Sequence, residues 1–408
     1  MQSARSGKEK RPTQAVILAG GRGTRLRPLT DTLPKPMILS AGKPFLEHLI
    51  ELLAGQGIQR IVLLLGYLPE VIQGYFGDGS RWGVKIHYCV GSVEDETGRR
   101  MKLAEPYLDP CFLLLYSDNY WPMQIEKMWA RFSAAGVPVM ITVYGNRDGY
   151  TKNCVRLDEE GYVVAYDKSR TQPGLQGVEI GYAIVSKSVL DLVPDANVSF
   201  EETVYPQLAA ARGLLAYPTE HRYYSIGSHG RLPITETFLT REPAVILDRD
   251  GVLNTRPPRA QYVTCWDEFE WLPGVKEALS VLCRAGYRII VVSNQAGIGR
   301  GVMTETALNE IHARMKAEAE EAGGRIDAIY YCPHGWDQGC ECRKPKPGML
   351  FQAQRDFNLD LSRTVFVGDD ERDAQAAEAA GCLSTLVSEH TSLLDISRQL
   401  VHGSLQTC

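Results

Sequence analysis

Short apolar runs of strand length alternate with helix-spaced segments along most of the chain. Gln14 to Leu18, Arg60 to Leu65, Phe112 to Tyr116 and Val139 to Val143 predict buried strands, and Phe45 to Ala54 carries apolar residues at helical spacing. The pattern restarts with a strand at Ala244 to Leu247. After it come a helix over Val275 to Arg284, a strand over Arg288 to Val292, a helix over Glu305 to Ala322, a strand over Ala328 to Tyr331, a helix over Gly348 to Phe357, a strand over Thr364 to Val367 and a helix over Asp373 to Ala380. Alternation of this kind predicts an α/β protein of two domains, each a mainly parallel Rossmann-like three-layer sandwich. The expected boundaries are 13–240 and 243–400. Phe238 to Pro243, between the two series, contains no long flexible tract, so a close join is expected. The two halves share no motif, which points to two different folds joined end to end.

Bulk properties narrow the function classes. A chain of 408 residues exceeds what one hydrophobic core organises. Its formal net charge of -5 gives no footprint for a polyanion, so nucleic acid is not an expected partner. No apolar stretch approaches the roughly 20 residues that span a bilayer, and the charged start Met1 to Arg11 is not followed by a signal-peptide core. A cytoplasmic protein with no membrane partner is expected. Ten cysteines in so long a chain are expected to stay reduced. Seven of them, Cys89, Cys111, Cys154, Cys265, Cys283, Cys382 and Cys408, are scattered among apolar neighbours and read as small buried hydrophobes. Nothing in these numbers fixes the oligomeric state.

Directly after the first strand comes a Gly-rich segment beginning at Leu18 and running through Gly20, Gly21, Gly23, Thr24 and Arg25 to Thr30, followed by Leu33-Pro-Lys-Pro-Met37. The glycines let backbone N–H groups approach a polyphosphate. Arg25 and Lys35 supply cations where charge develops on the phosphates. A Gly-rich loop alone is often only a turn, but its combination with Thr-Arg-Leu-Arg-Pro-Leu-Thr and Pro-Lys-Pro is specific. The stretch from about Gln14 to Thr240 resembles the sugar-1-phosphate nucleotidylyltransferases. That resemblance implies attack by a sugar 1-phosphate on the α-phosphorus of a nucleoside triphosphate, with release of pyrophosphate. It also implies magnesium at Asp118, at the end of Leu113-Leu-Leu-Tyr-Ser-Asp118, although an aspartate there could equally cap the next element. Further matches give Lys168 as a phosphate contact, Glu179 as a sugar contact and Gly98 as a base-side residue. The family's second metal aspartate is missing: the corresponding segment reads Tyr224-Ser225-Ile226-Gly227. Either phosphates and water complete the magnesium shell, or transfer is weakened.

The second series opens with Val245-Ile-Leu-Asp248-Arg-Asp250-Gly-Val. Two carboxylates at i and i+2 beyond a strand both reach its carboxyl-end crevice where the chain turns. Asp248 then attacks phosphorus, and Asp250 protonates the leaving alkoxide and next activates water. Ser293 and Asn294 end a later strand, Arg343 and Lys344 precede a helix, and Asp369, Asp370 and Asp373 follow a further strand. Four ordered strand-end motifs resemble the haloacid dehalogenase superfamily. The likeness implies magnesium held by Asp248, Asp250 and Asp369, with Asp370 and Asp373 in support. Arg256 and Arg259 read as solvated charges, as Arg300 could also be. Cys332, His334, Cys340 and Cys342 supply the four donors a closed tetrahedral zinc site requires, just ahead of Lys344.

That loop, with Arg343-Lys-Pro-Lys-Pro-Gly-Met349 and the segment Val263 to Val275, resembles the D-glycero-D-manno-heptose-1,7-bisphosphate 7-phosphatase family over about Ala244 to Val387. The resemblance gives Arg343 the substrate's second phosphate. A heptose 1-phosphate made by such a phosphatase is what a sugar-1-phosphate nucleotidylyltransferase consumes, so the two activities are consecutive. The expected substrates are heptose bisphosphate, heptose 1-phosphate and a nucleoside triphosphate, GTP, making activated heptose for cell-surface glycans. Two alternatives stay open at this point. The N-terminal half could be a binding module with its catalysis lost at Ser225, or the phosphatase could act on another phosphate such as histidinol phosphate.

Overall fold

In a computed structural model the described residues are 11–405. The start of the charged leader and Cys408 lie outside them. The chain divides into two units, one ending at Leu239 and the other beginning at Thr240.

The first unit is built on a seven-stranded sheet: β1 (Gln14–Ala19), β2 (Arg60–Leu65), β3 (Lys85–Val90), β4 (Cys111–Tyr116), β5 (Val139–Tyr144), β6 (Val178–Ser186) and β7 (Leu214–Thr219). Their order is β7-β5-β6-β4-β1-β2-β3. All neighbours run parallel except β6, which is antiparallel to both β4 and β5. Central strands such as β1 are buried at every position, as a sheet covered on both faces demands. Helices α1 (Phe45–Gly55), α2 (Thr97–Ala104) and α3 (Phe200–Ala210) are among those of this unit.

The second unit carries a five-stranded, all-parallel sheet of β8 (Ala244–Leu247), β9 (Arg288–Asn294), β10 (Ala328–Cys332), β11 (Val365–Gly368) and β12 (Leu383–Leu386), in the order β10-β9-β8-β11-β12. Helices α4 (Val275–Arg284), α5 (Glu305–Glu321), α6 (Gly348–Phe357) and α7 (Glu371–Ala380) accompany it. Apolar clusters lie on both of its faces: Val245, Leu247, Val291 and Leu279 belong to one, and Ile246, Ile290, Phe366 and Leu350 to the other. The alternation along β8 is the period-two rule of a strand. In both units the sequence-critical segments fall at strand carboxyl ends, where an open α/β sheet leaves its crevice.

The scattered cysteines depart from expectation. Among those described only Cys154 is fully buried; Cys265 is exposed, and Cys89, Cys111, Cys283 and Cys382 are half-buried. Cys265 lies in the irregular stretch ahead of α4, where no sheet covers it. All described cysteines are free thiols. No helix among the described residues is long and apolar enough to cross a membrane.

Candidate active sites

At the carboxyl end of β1 the chain leaves the sheet and enters a short 3-10 turn, Thr24–Leu26, through Gly23 at φ 65°. A Cβ there would press on Lys35 Cβ at 2.9 Å, so the positive φ and the lack of room both demand glycine. The loop forms one wall of a cavity of about 630 Å³ lined by Leu18, Gly21, Gly23, Thr24, Arg25 and Lys35 from this segment. Asp118, Lys168, Glu179, Glu201, Ser225 and Arg231 line the rest. Lys35 Nζ is ion-paired with Asp118. Gly20 and Gly98 are not among the lining residues. Gly98 is buried and donates its N–H to the Val198 carbonyl at 2.9 Å, so that N–H is already taken where a base-side contact was expected.

Ser225 sits opposite Asn119 in a two-residue strand pair, and Ile226 donates to the Asp118 carbonyl at 3.0 Å. The Ser225 segment thus runs beside Asp118. Its hydroxyl accepts the Gly227 N–H at 3.0 Å. One carboxylate and one neutral hydroxyl fit magnesium only with phosphate and water ligands added.

Two buried glutamates face the same cavity. Burial pushes the Glu179 carboxyl up to about 8, against the pull of the Gly181 N–H it accepts. Burial acts on Glu201 too, but Lys168 and the hydroxyls of Tyr116 and Ser199 outweigh it, and this carboxyl ends below its ordinary value. Glu201 accepts from Tyr116 Oη at 2.6 Å, Thr97 Oγ1 at 2.9 Å and Ser199 Oγ at 2.8 Å, with Lys168 Nζ at 3.7 Å.

In the second unit, a cavity of about 680 Å³ opens over β8, β9 and β11 and is lined by Asp248, Asp250, Ser293, Asn294, Arg343, Lys344 and Asp369, among others. Lys344, 3% exposed, places Nζ 2.8 Å from Asp248 Oδ1 and 2.7 Å from Asp373 Oδ1. Asp373 also accepts the N–H groups of Asp369 and Asp370, which fixes the turn after β11. Carboxylate oxygens of Asp248, Asp369 and Asp373 lie within 4.8 Å of one another, close enough to share a cation. Gly251, at φ 95°, is required here because a Cβ would overlap the Asp369 carboxylate.

The Asp250 side chain stands apart from this triad. Its carboxylate is held by Arg249 (2.9 Å to each oxygen), Asn254 Nδ2 (3.0 Å) and Gln295 Nε2 (2.9 Å). A side chain committed to these donors is not oriented as a metal ligand, in contrast to the sequence expectation. The two aspartates are driven apart. Burial pushes the Asp248 carboxyl up, with Asp373 adding to it and Lys344 opposing. Burial also acts on Asp250, but Arg249 overrides it and holds the carboxyl below its usual range.

Two further residues do more than expected. The Asn294 amide, which lines the cavity, exchanges hydrogen bonds with the Lys344 backbone, at 3.0 and 3.1 Å, so it anchors the lysine's chain, a role beyond the substrate contact expected of it. Arg256 is exposed, as a solvated charge would be, but it also donates to Asp369 and Asp370, both at 2.9 Å. Ser293 is 1% exposed and accepts from Gln295 Nε2 at 2.7 Å. Sequence reasoning missed Gln295, Arg249 and His312. Arg249 is fully buried, with Nη1 3.5 Å from His312 Nε2. An arginine flanked by two aspartates beyond an apolar strand was the available signal for burial as their counter-charge.

Cys332, His334, Cys340 and Cys342 bring their donor atoms within 4.8 Å of one another. The nearest pairs are 3.5 Å (Cys332 Sγ to Cys340 Sγ) and 3.3 Å (Cys342 Sγ to His334 Nδ1). Zn–S and Zn–N bonds of ~2.3 and ~2.0 Å make tetrahedron edges of roughly 3.5–3.8 Å. The donor set and its spacing fit zinc.

The family model for nucleotidyl transferases matches residues 14–166, and that for haloacid dehalogenase-like hydrolases matches residues 189–381. The D-glycero-beta-D-manno-heptose-1,7-bisphosphate 7-phosphatase of Pseudomonas aeruginosa is 42% identical over 161 residues, which are 40% of this chain and 89% of that protein. The enzyme of the same name from Neisseria meningitidis serogroup B is 45% identical over 145 residues, 35% of this chain and 75% of its own. The crystal structure of a proposed glucose-1-phosphate thymidylyltransferase from Bacillus anthracis covers 56% of this chain and 95% of its own, at a TM-score of 0.51 and 19% identity, a likeness of fold alone.

Proposed function

Because this chain belongs, through its C-terminal domain, to the D-glycero-beta-D-manno-heptose-1,7-bisphosphate 7-phosphatase family of haloacid dehalogenase-like hydrolases, we propose that it removes the 7-phosphate of a heptose 1,7-bisphosphate and then, through its nucleotidyl transferase domain, transfers GMP from GTP to the heptose 1-phosphate. The observation that carries the phosphatase half is Lys344 between Asp248 and Asp373 at the floor of a cavity whose wall includes Arg343 and Arg259. One phosphate of a bisphosphate meets Asp248, and the arginines receive the other. The transferase half draws its sugar from this neighbour, since the product of the first reaction is the acceptor of the second.

Asp248 is the nucleophile. Its Oδ1 is oriented by Lys344 and by the Arg249 N–H at 2.7 Å. Asp250, set by Arg249, Asn254 and Gln295, faces the same cavity and carries the proton: it takes one from the water that attacks the aspartyl phosphate and gives it to the alkoxide that leaves in the next turnover. Ser293 binds a phosphoryl oxygen. Asp248 and Asp369 would hold magnesium, which when bound would supply the positive charge that ionises Asp248 and neutralises the phosphoryl group, while Asp373, taken by Lys344 and two backbone N–H groups, holds the lysine in place. The Cys332–His334–Cys340–Cys342 loop holds a structural zinc that fixes Arg343 and Lys344. In the other domain Asp118 holds magnesium, Gly21, Gly23 and Thr24 present the loop to the triphosphate, and Arg25 and Lys35 neutralise it. Lys168 and Glu179 receive the sugar phosphate.

A second reading, a nucleotide-binding domain with little turnover, is favoured by Ser225 beside Asp118. Incubating the chain with each anomer of heptose 1,7-bisphosphate and each common nucleoside triphosphate separates the two readings. Phosphate and pyrophosphate release together support the bifunctional enzyme. Phosphate without pyrophosphate supports the binding module. Asp248→Asn is expected to lower phosphate release by about a thousandfold or more while sparing transfer from supplied heptose 1-phosphate, and Asp118→Asn to do the reverse. Loss of both activities in either variant contradicts separate sites.

A further inference from the structure

We propose that Arg100 is a positioning residue of nucleotidyl transfer: a buried guanidinium that clamps the phosphate loop to the neighbouring strand ends and places a positive charge behind it. The inference rests on the transferase reading above.

Arg100 lies on α2 and is 5% exposed. Its Nη1 donates to the Leu65 carbonyl at 2.6 Å, and its Nη2 to those of Ser92 (2.8 Å), Val93 (3.3 Å) and Gly20 (3.4 Å). These carbonyls belong to the carboxyl end of β2 and to the loops that follow β1 and β3, and the three strands are neighbours in the sheet. One side chain therefore ties together three chain segments at the edge that carries the cavity. Among the described residues no carboxylate pairs with it; Asp95, the nearby candidate, takes Arg99 at 3.3 Å. Carbonyl oxygens satisfy the N–H groups, the nearby Asp95 and Glu96 carboxylates offset the charge only in part against its burial, and a buried charge in that condition favours an anion close by.

The glycines show that the loop is shaped to this guanidinium. A Cβ on Gly20 would overlap the Arg100 guanidinium carbon, and one on Gly66 would lie 2.6 Å from both Nη atoms. Neither glycine has a positive φ, so what each provides is room. Gly21, the next residue after Gly20, has nothing within 4 Å on its Cβ side and lines the cavity. The clamp thus seizes the backbone one residue from the surface that meets the ligand. A phosphate loop held from behind loses less freedom when the triphosphate binds.

The test uses the full chain with the nucleoside triphosphate that the wild type turns over best, and compares Arg100→Lys and Arg100→Met. Arg100→Met is expected to raise the KM for the nucleotide about tenfold or more and to leave the KM for heptose 1-phosphate within about twofold. Arg100→Lys, which keeps the charge without the fork, recovers part of the loss. Gly20→Ala is expected to impair transfer in the wild type and to cost nothing further in Arg100→Ala, where the colliding group is gone. Equal rises in both KM values, or an equal cost of Gly20→Ala in the two backgrounds, would overturn the clamp. If circular dichroism shows Arg100→Met unfolded, Arg100→Lys and the Gly20 pair decide by the same criteria. A wild type that binds GTP but transfers nothing sinks the transferase reading alone, and the nucleotide dissociation constants of the variants, by calorimetry, then judge the clamp. A wild type that binds no nucleotide overturns both.

Discussion

Residues that differ by one atom group decide how each site works. Ser225 accepts the Gly227 N–H where a carboxylate would face Asp118. Ser225→Asp is expected to lower the magnesium concentration for half-maximal transfer by about tenfold, since a second carboxylate adds a charged ligand to a weakly held ion. A magnesium titration of both proteins measures this, and coincident curves would refute it. His312 offers a different handle. Burial and the adjacent Arg249 push its imidazolium down to about 3, so the folded domain keeps it neutral while the unfolded chain protonates near 6.5. Because the folded value is depressed, the contribution is fully present above 6.5 and is lost as pH falls from there toward 3. His312→Gln is expected to flatten the fall in the second unit's stability between pH 7 and pH 5 by up to about 2 kcal/mol, read from urea denaturation at each pH. A slope identical to the wild type's would exclude the histidine as the cause. That Asp248 and Lys344 meet, and that Cys332, His334, Cys340 and Cys342 converge, was legible from their motifs, because each motif carries its own chemistry. Gln295 and His312 were not. Their importance comes from whom they touch across β9 and α5, and no local pattern records that.

At the scale of elements, the buried parallel strands announced themselves and the edges did not. Arg60 to Leu65 is a strand at the bounds its apolar run predicts. β3, at the edge of its sheet, is exposed at Lys85, His87 and Val90 and buried only at Ile86, and β6, an interior strand, runs antiparallel and carries Gly181 within it, so neither reads as a continuous apolar parallel strand. Helix α7 begins two residues earlier than its spacing suggests, at Glu371, because Asp370 and Asp373 form a capping box. The loop from Cys332 to Cys342 shows what an element can do without regular structure. It starts on the last residue of β10, closes on itself through four donors, and delivers Arg343 and Lys344 to the cavity. Cys340→Ser is expected to release about one zinc per chain to a chromogenic chelator and to lower both phosphatase activity and the melting temperature of the second unit, with transfer unchanged. A variant that still holds zinc, or one that loses zinc and keeps full phosphatase activity, would count against the structural role.

For the whole molecule, the decisive fact is that the two units have cores with no residue in common. Each sheet carries its own crevice and its own set of charged residues. Calorimetry of the full chain is therefore expected to resolve two unfolding transitions, with GTP and magnesium moving one, and phosphate with magnesium moving the other. A single transition shifted by either ligand would show the units to be energetically coupled. The two crevices, one with Lys344 between Asp248 and Asp373 and one with Asp118 beside the Ser225 segment, nonetheless share one polypeptide. Expression can never supply more of one head than of the other. The ratio of the two fluxes is then written into the sites themselves, and if the site at Ser225 is the slower, it sets how much sugar 1-phosphate accumulates between the two steps.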